Sequence, residues 1–276
     1  MSGRTRYNFE SAFSKYQKIM NIEHISVSRI GVWRECQLKY KYQYHLKLDS
    51  GEPEPWHFTY GKIVHKIAED YVGAKGSKKI GESAGDVLQH KVPIEVWNGK
   101  PTYAPRLPDS YRDRLPTHLR AIKMITDQIG MDGELEYHFQ YDLDPPHNKL
   151  VKGFIDRLVQ RNDQWFILDY KTTKKGKWRK DNNSIVHDLQ LRMYARVVQK
   201  AYNVPVENIR TALFYLDDSE LVATKFTQDA VDAAEQELLE AYNQITEAHP
   251  DFAQGTVGDH CRFCNYRKRC PFYNAI

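Results

Sequence analysis

Residues 149–171 read KLVKGFIDRLVQRNDQWFILDYK, two apolar runs (150–159 and 165–170) on either side of Arg161-Asn162-Asp163-Gln164. Valine, isoleucine, phenylalanine and tryptophan favour strands, and the polar tetrapeptide is turn chemistry, so the stretch predicts a β-hairpin. A turn centred on Asn162-Asp163 sets Asp156 opposite Asp169. Directly opposed side chains have Cβ atoms only ~5 Å apart, where like charges repel. Asp169 and Lys171 are two apart on one strand and share a face. Two acids and a lysine therefore converge where an apolar hairpin would hold Val or Leu. A solvated face, with Lys171 merely neutralising one acid, would need polar neighbours, and the neighbours are apolar. A hard divalent cation wants such carboxylate oxygens.

The chain has 276 residues, 41% of them hydrophobic, which is enough to bury a substantial core, and a mild net charge of +4. It has no run of 18 apolar residues and no signal-peptide pattern, so it is expected to be a soluble cytoplasmic protein that uses no membrane. Cys36 stands far from Cys261, Cys264 and Cys270. That lopsided distribution suits ligation of a metal or cluster in a reducing compartment better than disulfides.

Residues 1–25 carry little pattern and read as a loose arm. Ser28 is a plausible N-cap for a helix over 28–44 that contains Cys36. A second helix is expected over 59–72, with His65 on it. Residues 73–108 are rich in Gly, Pro and Lys and form an insertion of no assigned role, with a short helix near 82–90. Helices are expected over 111–129, 185–202 and 229–248, and strands over 134–142, 208–215 and 221–226. The order predicts an α/β core, a mixed sheet flanked by helices. Glu136, on the strand before the hairpin, is weighed equally as a supporting acid and as a surface glutamate.

The motifs Gly61-x-x-x-His65, Gly153-x-Ile155-Asp156-Arg157, Asp169-x-Lys171 and Gln190-x-x-x-Tyr194 occur in that order. Together they resemble the PD-(D/E)XK nuclease superfamily and its restriction-endonuclease-like core, specifically the RecB-like branch. The tail, Cys261-Arg-Phe-Cys264-Asn-Tyr-Arg-Lys-Arg-Cys270-Pro271, with the distant Cys36, is similar to the iron–sulfur nucleases of that branch. These include the CRISPR-associated adaptation exonucleases, the AddB nuclease domain and eukaryotic exonuclease V. The resemblance implies a single nuclease domain over 26–276, with a cluster-binding tail at 258–273. No G-x-x-x-x-G-K-[ST] is present, so a stand-alone nuclease rather than a helicase–nuclease is expected.

The resemblance implies that His65, Asp156, Asp169 and the main-chain carbonyl of Tyr170 hold Mg²⁺ or Mn²⁺. Lys171 would position the attacking water or steady charge on the phosphate, Gln190 would orient the lysine or the water, and Tyr194 would face the DNA backbone. A bound divalent cation screens a phosphodiester and acidifies water. Cys36, Cys261, Cys264 and Cys270 would hold a [4Fe–4S] cluster of structural role. Their spacing suits that cluster better than zinc ribbons, which pair two C-x2-C knuckles. Lys174, Lys175, Lys177, Trp178 and Arg179 follow the catalytic strand and read as a DNA contact, since cations grip phosphates and an aromatic stacks a base. The expected activity is a metal-dependent DNA exonuclease acting on single-stranded ends in repair, recombination or DNA processing. The alternatives are a non-catalytic DNA-binding or assembly module of the same fold, and a nuclease for CRISPR spacer capture. The sequence names no protein partner.

Overall fold

In the computed structural model, residues 20, 22–97, 99–145 and 147–273 are described. Most of the expected loose arm, residues 1–19 and 21, lies outside them. In chain order the α-helices are α1 (Val27–Glu35), α2 (Gln37–Tyr40), α3 (Trp56–Gly73), α4 (Ile80–Leu88), α5 (Asp109–Arg112), α6 (Leu115–Ile129), α7 (Leu189–Tyr202) and α8 (Gln228–Glu247). The strands are β1 (Glu95–Trp97), β2 (Lys100–Thr102), β3 (Glu134–Asp142), β4 (Leu150–Arg161), β5 (Gln164–Lys171), β6 (Ile209–Tyr215) and β7 (Glu220–Thr224). No helix among the described residues is long and apolar enough to cross a membrane.

The chain divides into two compact units. One consists of Glu54–Tyr141 and Lys152–Glu235. The other consists of the chain up to Pro53, Asp142–Val151 and the chain from Gln236 onward.

The first of these units holds a mixed five-stranded sheet in the order β3-β4-β5-β6-β7. Asn162 takes a left-handed conformation (φ 52°) in the tight turn between β4 and β5, which asparagine tolerates. The antiparallel register runs from Arg161↔Gln164 to Arg157↔Leu168 and stops one step short of Asp156 and Asp169. β5 pairs with β6 in parallel, and β6 with β7 antiparallel. Parallel neighbours need a crossover, and α7 lies in the segment that connects β5 to β6. Asp188 caps α7 by accepting from the Leu191 amide at 2.9 Å. Residues 185–187 form a 3₁₀ turn instead of the expected first turn of that helix.

One apolar core joins Tyr60, Ile63, Val64 and Ile67 of α3 and Ala121, Ile122 and Ile125 of α6 to Leu168, Tyr170 and Phe214 of the sheet. The helix expected over 111–129 is split at 113–114. Pro116 stands in the first turn of α6, where a ring lacking an N–H is tolerated and cannot continue a helix from upstream. Arg157 is fully buried and its guanidinium donates to the Gly130 carbonyl, fixing the turn before β3. In the same turn Gly133 has φ 111°, and a Cβ there would meet the Leu158 carbonyl at 2.4 Å. Residues 73–108, unassigned from sequence, contain α4 and the antiparallel pair β1–β2.

In the other unit Ser26 caps α1 by accepting from the Arg29 amide. The single helix expected over 28–44 is broken at Cys36, whose backbone is extended (φ −162°, ψ 109°). The break frees the Leu38 amide to donate to the Gln254 carbonyl at 3.0 Å. Tyr266, 5% exposed, donates its hydroxyl to the Leu48 carbonyl at 3.1 Å, tying the C-terminal segment to the segment after α2.

Candidate metal and active site

Five elements of the larger sheet unit bring the candidate residues together. α3 carries His65, β3 Glu136, β4 Asp156, β5 Asp169 and Lys171, and α7 Gln190 and Tyr194. Ligand atoms of His65, Glu136 and Asp156 all lie within 4.8 Å of one another, the spacing a single ion could bridge. His65 Nε2 donates to the Tyr170 carbonyl at 2.8 Å, and its Nδ1 stands 3.4 Å from Asp156 Oδ2. Asp156 Oδ2 also accepts from the Tyr170 amide at 2.8 Å. Past the end of the β4–β5 ladder, Asp156 is thus joined to Tyr170 through its side chain and not through the ladder.

Asp169, only 2% exposed, is not in that trio. Its carboxylate is taken by Lys171 Nζ at 2.6 Å. Lys171 reaches toward Gln190 Oε1 at 3.5 Å, and Gln190 Nε2 donates to the Tyr194 hydroxyl at 2.5 Å. Gln190 and Tyr194 lie four apart on α7, so they share a face and the relay is built into the helix.

The charges explain the geometry. Burial would pull the His65 imidazole down, but the Asp156 carboxylate more than reverses this and lifts it to about 9. Burial would raise Asp156, yet the imidazolium beside it holds its carboxyl below the usual range. The His65 ring thus stands between Asp156 and the Tyr170 carbonyl. Burial, reinforced by the Asp156 charge, pushes Glu136 up to about 7. Burial lifts Asp169 to about 6 against the pull of Lys171. Burial disfavours charge on Lys171, but Asp169 outweighs it and keeps the ammonium charged. A pocket that sets three acids against one imidazole and one ammonium is short of positive charge, and a divalent cation fits that donor set.

The other expected residues have different fates. Tyr194 does not face outward toward a nucleic-acid backbone; it is 4% exposed, burial drives its phenol well up, and its ring meets Phe139 edge-on at 5.8 Å. Arg179 is not available to a phosphate. Its side chain is 6% exposed, forks onto Asp218 and Glu220, and stacks over the Tyr215 ring at 3.9 Å. Lys174, Lys175 and Lys177 are exposed, and Trp178, 72% exposed, lies under the Lys177 ammonium at 4.7 Å.

All four cysteines are free thiols and belong to the second unit. Burial pushes the Cys264 thiol up, and Cys36 and Cys261 are close enough to add to that rise. Cys36 and Cys270 together act on the Tyr42 phenol. Among the described residues no cysteine belongs to a trio of ligand atoms within 4.8 Å.

One feature was left open by sequence reasoning and another was missed. Glu136, weighed equally as a supporting acid and as a surface glutamate, supplies one of the three converging ligand atoms. It sits in a strand with φ 46°, a conformation strained for any side chain. Tyr60 donates to His118 Nδ1 at 2.9 Å, and His118 Nε2 donates to Asp217 at 2.8 Å. Arg114 pairs with Asp217 and donates to the Thr172 carbonyl at 2.7 Å. This network pins the backbone directly after Lys171. Its members come from α3, α6, the residue before α6 and the segments after β5 and β6, so no local sequence pattern announces it.

Comparison with known proteins gives three findings. The PD-(D/E)XK nuclease superfamily model matches residues 24–271. The chain is 29% identical over 144 residues to the Gene 69 protein of Mycobacterium phage L5, and 27% identical over 143 residues to that of Mycobacterium phage D29. Each match covers 50% of this chain and 44% or 48% of the phage protein, so the similarity spans about half the length of those relatives. The crystal structure of SSO0001 aligns with 86% of this chain and 95% of its own, at 14% identity and a TM-score of 0.38. With the family match running through His65, Asp156, Asp169, Lys171, Gln190 and Tyr194, the chain belongs to the PD-(D/E)XK nuclease superfamily.

Proposed function

We propose that the protein is a divalent-cation-dependent deoxyribonuclease of the RecB-like branch that degrades DNA from single-stranded ends. The convergence of His65, Glu136 and Asp156 within 4.8 Å, beside the Lys171–Asp169 pair, is the observation that carries this reading. His65, Glu136 and Asp156 would hold Mg²⁺ or Mn²⁺, with Asp169 and the Tyr170 carbonyl adjoining. A cation held there supplies charge that offsets the phosphate and acidifies water. Lys171 stays protonated, so its role is to steady the developing negative charge on the scissile phosphate rather than to act as a base. Gln190 orients that ammonium, and Tyr194 orients Gln190 from the buried side. Imidazole and carboxylate ligands together accommodate Mn²⁺ as well as Mg²⁺.

The same reading gives the four free thiols a [4Fe–4S] cluster. Four cysteines in one compact unit, with the buried Cys36 at the extended break between α1 and α2, support it. The activity is tested by digesting end-labelled linear and circular DNA, single- and double-stranded, with Mg²⁺, Mn²⁺ or EDTA. Degradation of linear single strands only when a cation is present is the expected result. Cleavage of circles would remove the end requirement, and Lys171→Ala with wild-type turnover would remove the site.

A further inference from the structure

Phe154 stands in the interior of β4 between the buried Ile155 and the half-buried Gly153, yet it is 53% exposed. A strand that needed only stability would place a polar residue there or cover the ring, since burying a phenyl ring is favourable. A solitary exposed apolar side chain is ordinary on a protein surface. Phe154 is not solitary. Its ring meets the exposed His138 ring of β3 at 4.9 Å between centroids, tilted by 44°. The pair also has a fixed relation to the candidate metal site. His138 lies two residues after Glu136 on β3, and Phe154 lies two residues before Asp156 on β4. Glu136 and Asp156 are themselves within ligand spacing. Two strand residues advance roughly 6.5–7 Å. The two rings are therefore about one step along the sheet from the carboxylates, within reach of the base attached to a phosphate held at those carboxylates. Lys152, two residues beyond Phe154, continues the same line on β4 with a positive charge.

We infer that Phe154, backed by His138, is a nucleobase-stacking platform for the nucleotide next to the scissile phosphate. Resting on the nuclease reading for the scissile bond, it names the substrate class. A base offers its face to a protein ring only when it is unpaired and unstacked, so the platform selects single strands or frayed ends over intact duplex. Every base has a π-face, so it discriminates little among the four. Lys152 adds a phosphate contact on the neighbouring nucleotide.

The test is binding without cleavage. Wild-type protein, Phe154→Ala and Phe154→Trp are titrated in EDTA, by fluorescence anisotropy, against a labelled single-stranded oligo(dT) and against the same backbone with its central nucleotides abasic. Loss of one stacked base corresponds to a roughly 5- to 150-fold weaker Kd. Phe154→Ala is expected to lose that factor on oligo(dT) and nothing on the abasic strand, and Phe154→Trp is expected to bind oligo(dT) at least as tightly as wild type. A melting curve checks the fold of each variant. The platform is overturned if Phe154→Ala weakens both strands equally, if it weakens neither, or if the wild type does not distinguish base-bearing from abasic DNA. Failure of the nuclease reading is separate, because no cation is present in this assay. Base-dependent binding through Phe154 in a protein that cuts no DNA with Mg²⁺ or Mn²⁺ would keep the platform and reject the nuclease.

Discussion

At the scale of single residues, Glu136 shows how the site is held. A left-handed glutamate inside a strand costs on the order of 1–3 kcal/mol, and its carboxyl is buried near other acids as well. Both costs vanish in Glu136→Gly, which adopts φ 46° freely. The variant should melt at or above the wild-type temperature without cation, while Mn²⁺ affinity and cleavage fall roughly ten- to a hundredfold. A lower melting point with undiminished Mn²⁺ binding would make Glu136 a folding residue only. The titrations near it set a second expectation. Glu136 (about 7) and Asp169 (about 6) hold protons more tightly folded than unfolded, so their contribution to metal-free stability is present at low pH and lost as pH rises from about 4 through 7. A cation needs those carboxylates ionised. Each proton it displaces steepens its affinity by about tenfold per pH unit, and His65, at about 9, extends the trend upward. Mn²⁺ should therefore raise the melting temperature much more at pH 8 than at pH 5.5. An equal rise at both would mean that the cation binds elsewhere.

At the scale of elements, β3 and β4 are fitted to each other at Gly153. A Cβ there would meet the Phe139 ring at 2.6–2.7 Å. Phe139 is 5% exposed and packs edge-on against Tyr194, so its ring cannot yield without pressing on the Gln190–Lys171 relay. Gly153→Ala should cost roughly 1–3 kcal/mol and lower turnover, and Phe139→Leu should recover much of the stability when added to it. Denaturant melts of the two single variants and the double variant decide this, and strictly additive losses would show that the two positions do not meet. The same elements mark what the sequence could disclose. The hairpin was legible because strand formers flank Asn162-Asp163, and the sum of paired positions fixes its register. The Asp169–Lys171 alternation and the Gln190–Tyr194 helical spacing were legible for the same reason, since strand and helix periods are local. The break at Cys36, the split at 113–114 and the committed state of Arg179 were not. Each depends on a partner distant in sequence or on a proline in a first turn, and a run of basic residues looks alike whether it is free or paired. Glu136 reaches the site through strand pairing and an unusual φ, neither of which its neighbours encode.

At the scale of the whole molecule, the candidate site residues and the thiols belong to different compact units. The proposed cluster would therefore act on the stability of its own unit. Cys36 is 8% exposed at the point where α1 gives way to α2, and the Leu38 amide and Tyr266 hydroxyl already tie neighbouring backbone to the C-terminal segment. A few such contacts hold a segment made mostly of 3₁₀ turns, in which Phe252, Phe263 and Phe272 are substantially exposed. That is little apolar burial for a structured segment, and ligation by cysteines at both ends of the unit would compensate. Cys36→Ser removes one ligand and replaces it with a hydroxyl, a poor one for iron. Iron content and visible absorption should fall, and the melting temperature should drop, since several kcal/mol is a large part of the ~5–15 kcal/mol that holds a typical domain. Turnover per correctly folded molecule should stay near wild type, because His65, Glu136, Asp156, Asp169 and Lys171 all lie in the other unit. The measurements are metal analysis of anaerobically purified protein, a melting curve, and cleavage normalised to the folded fraction. Zinc in place of iron would replace the cluster with a structural zinc site. Wild-type melting with lost cleavage would instead draw the thiols into the chemistry itself.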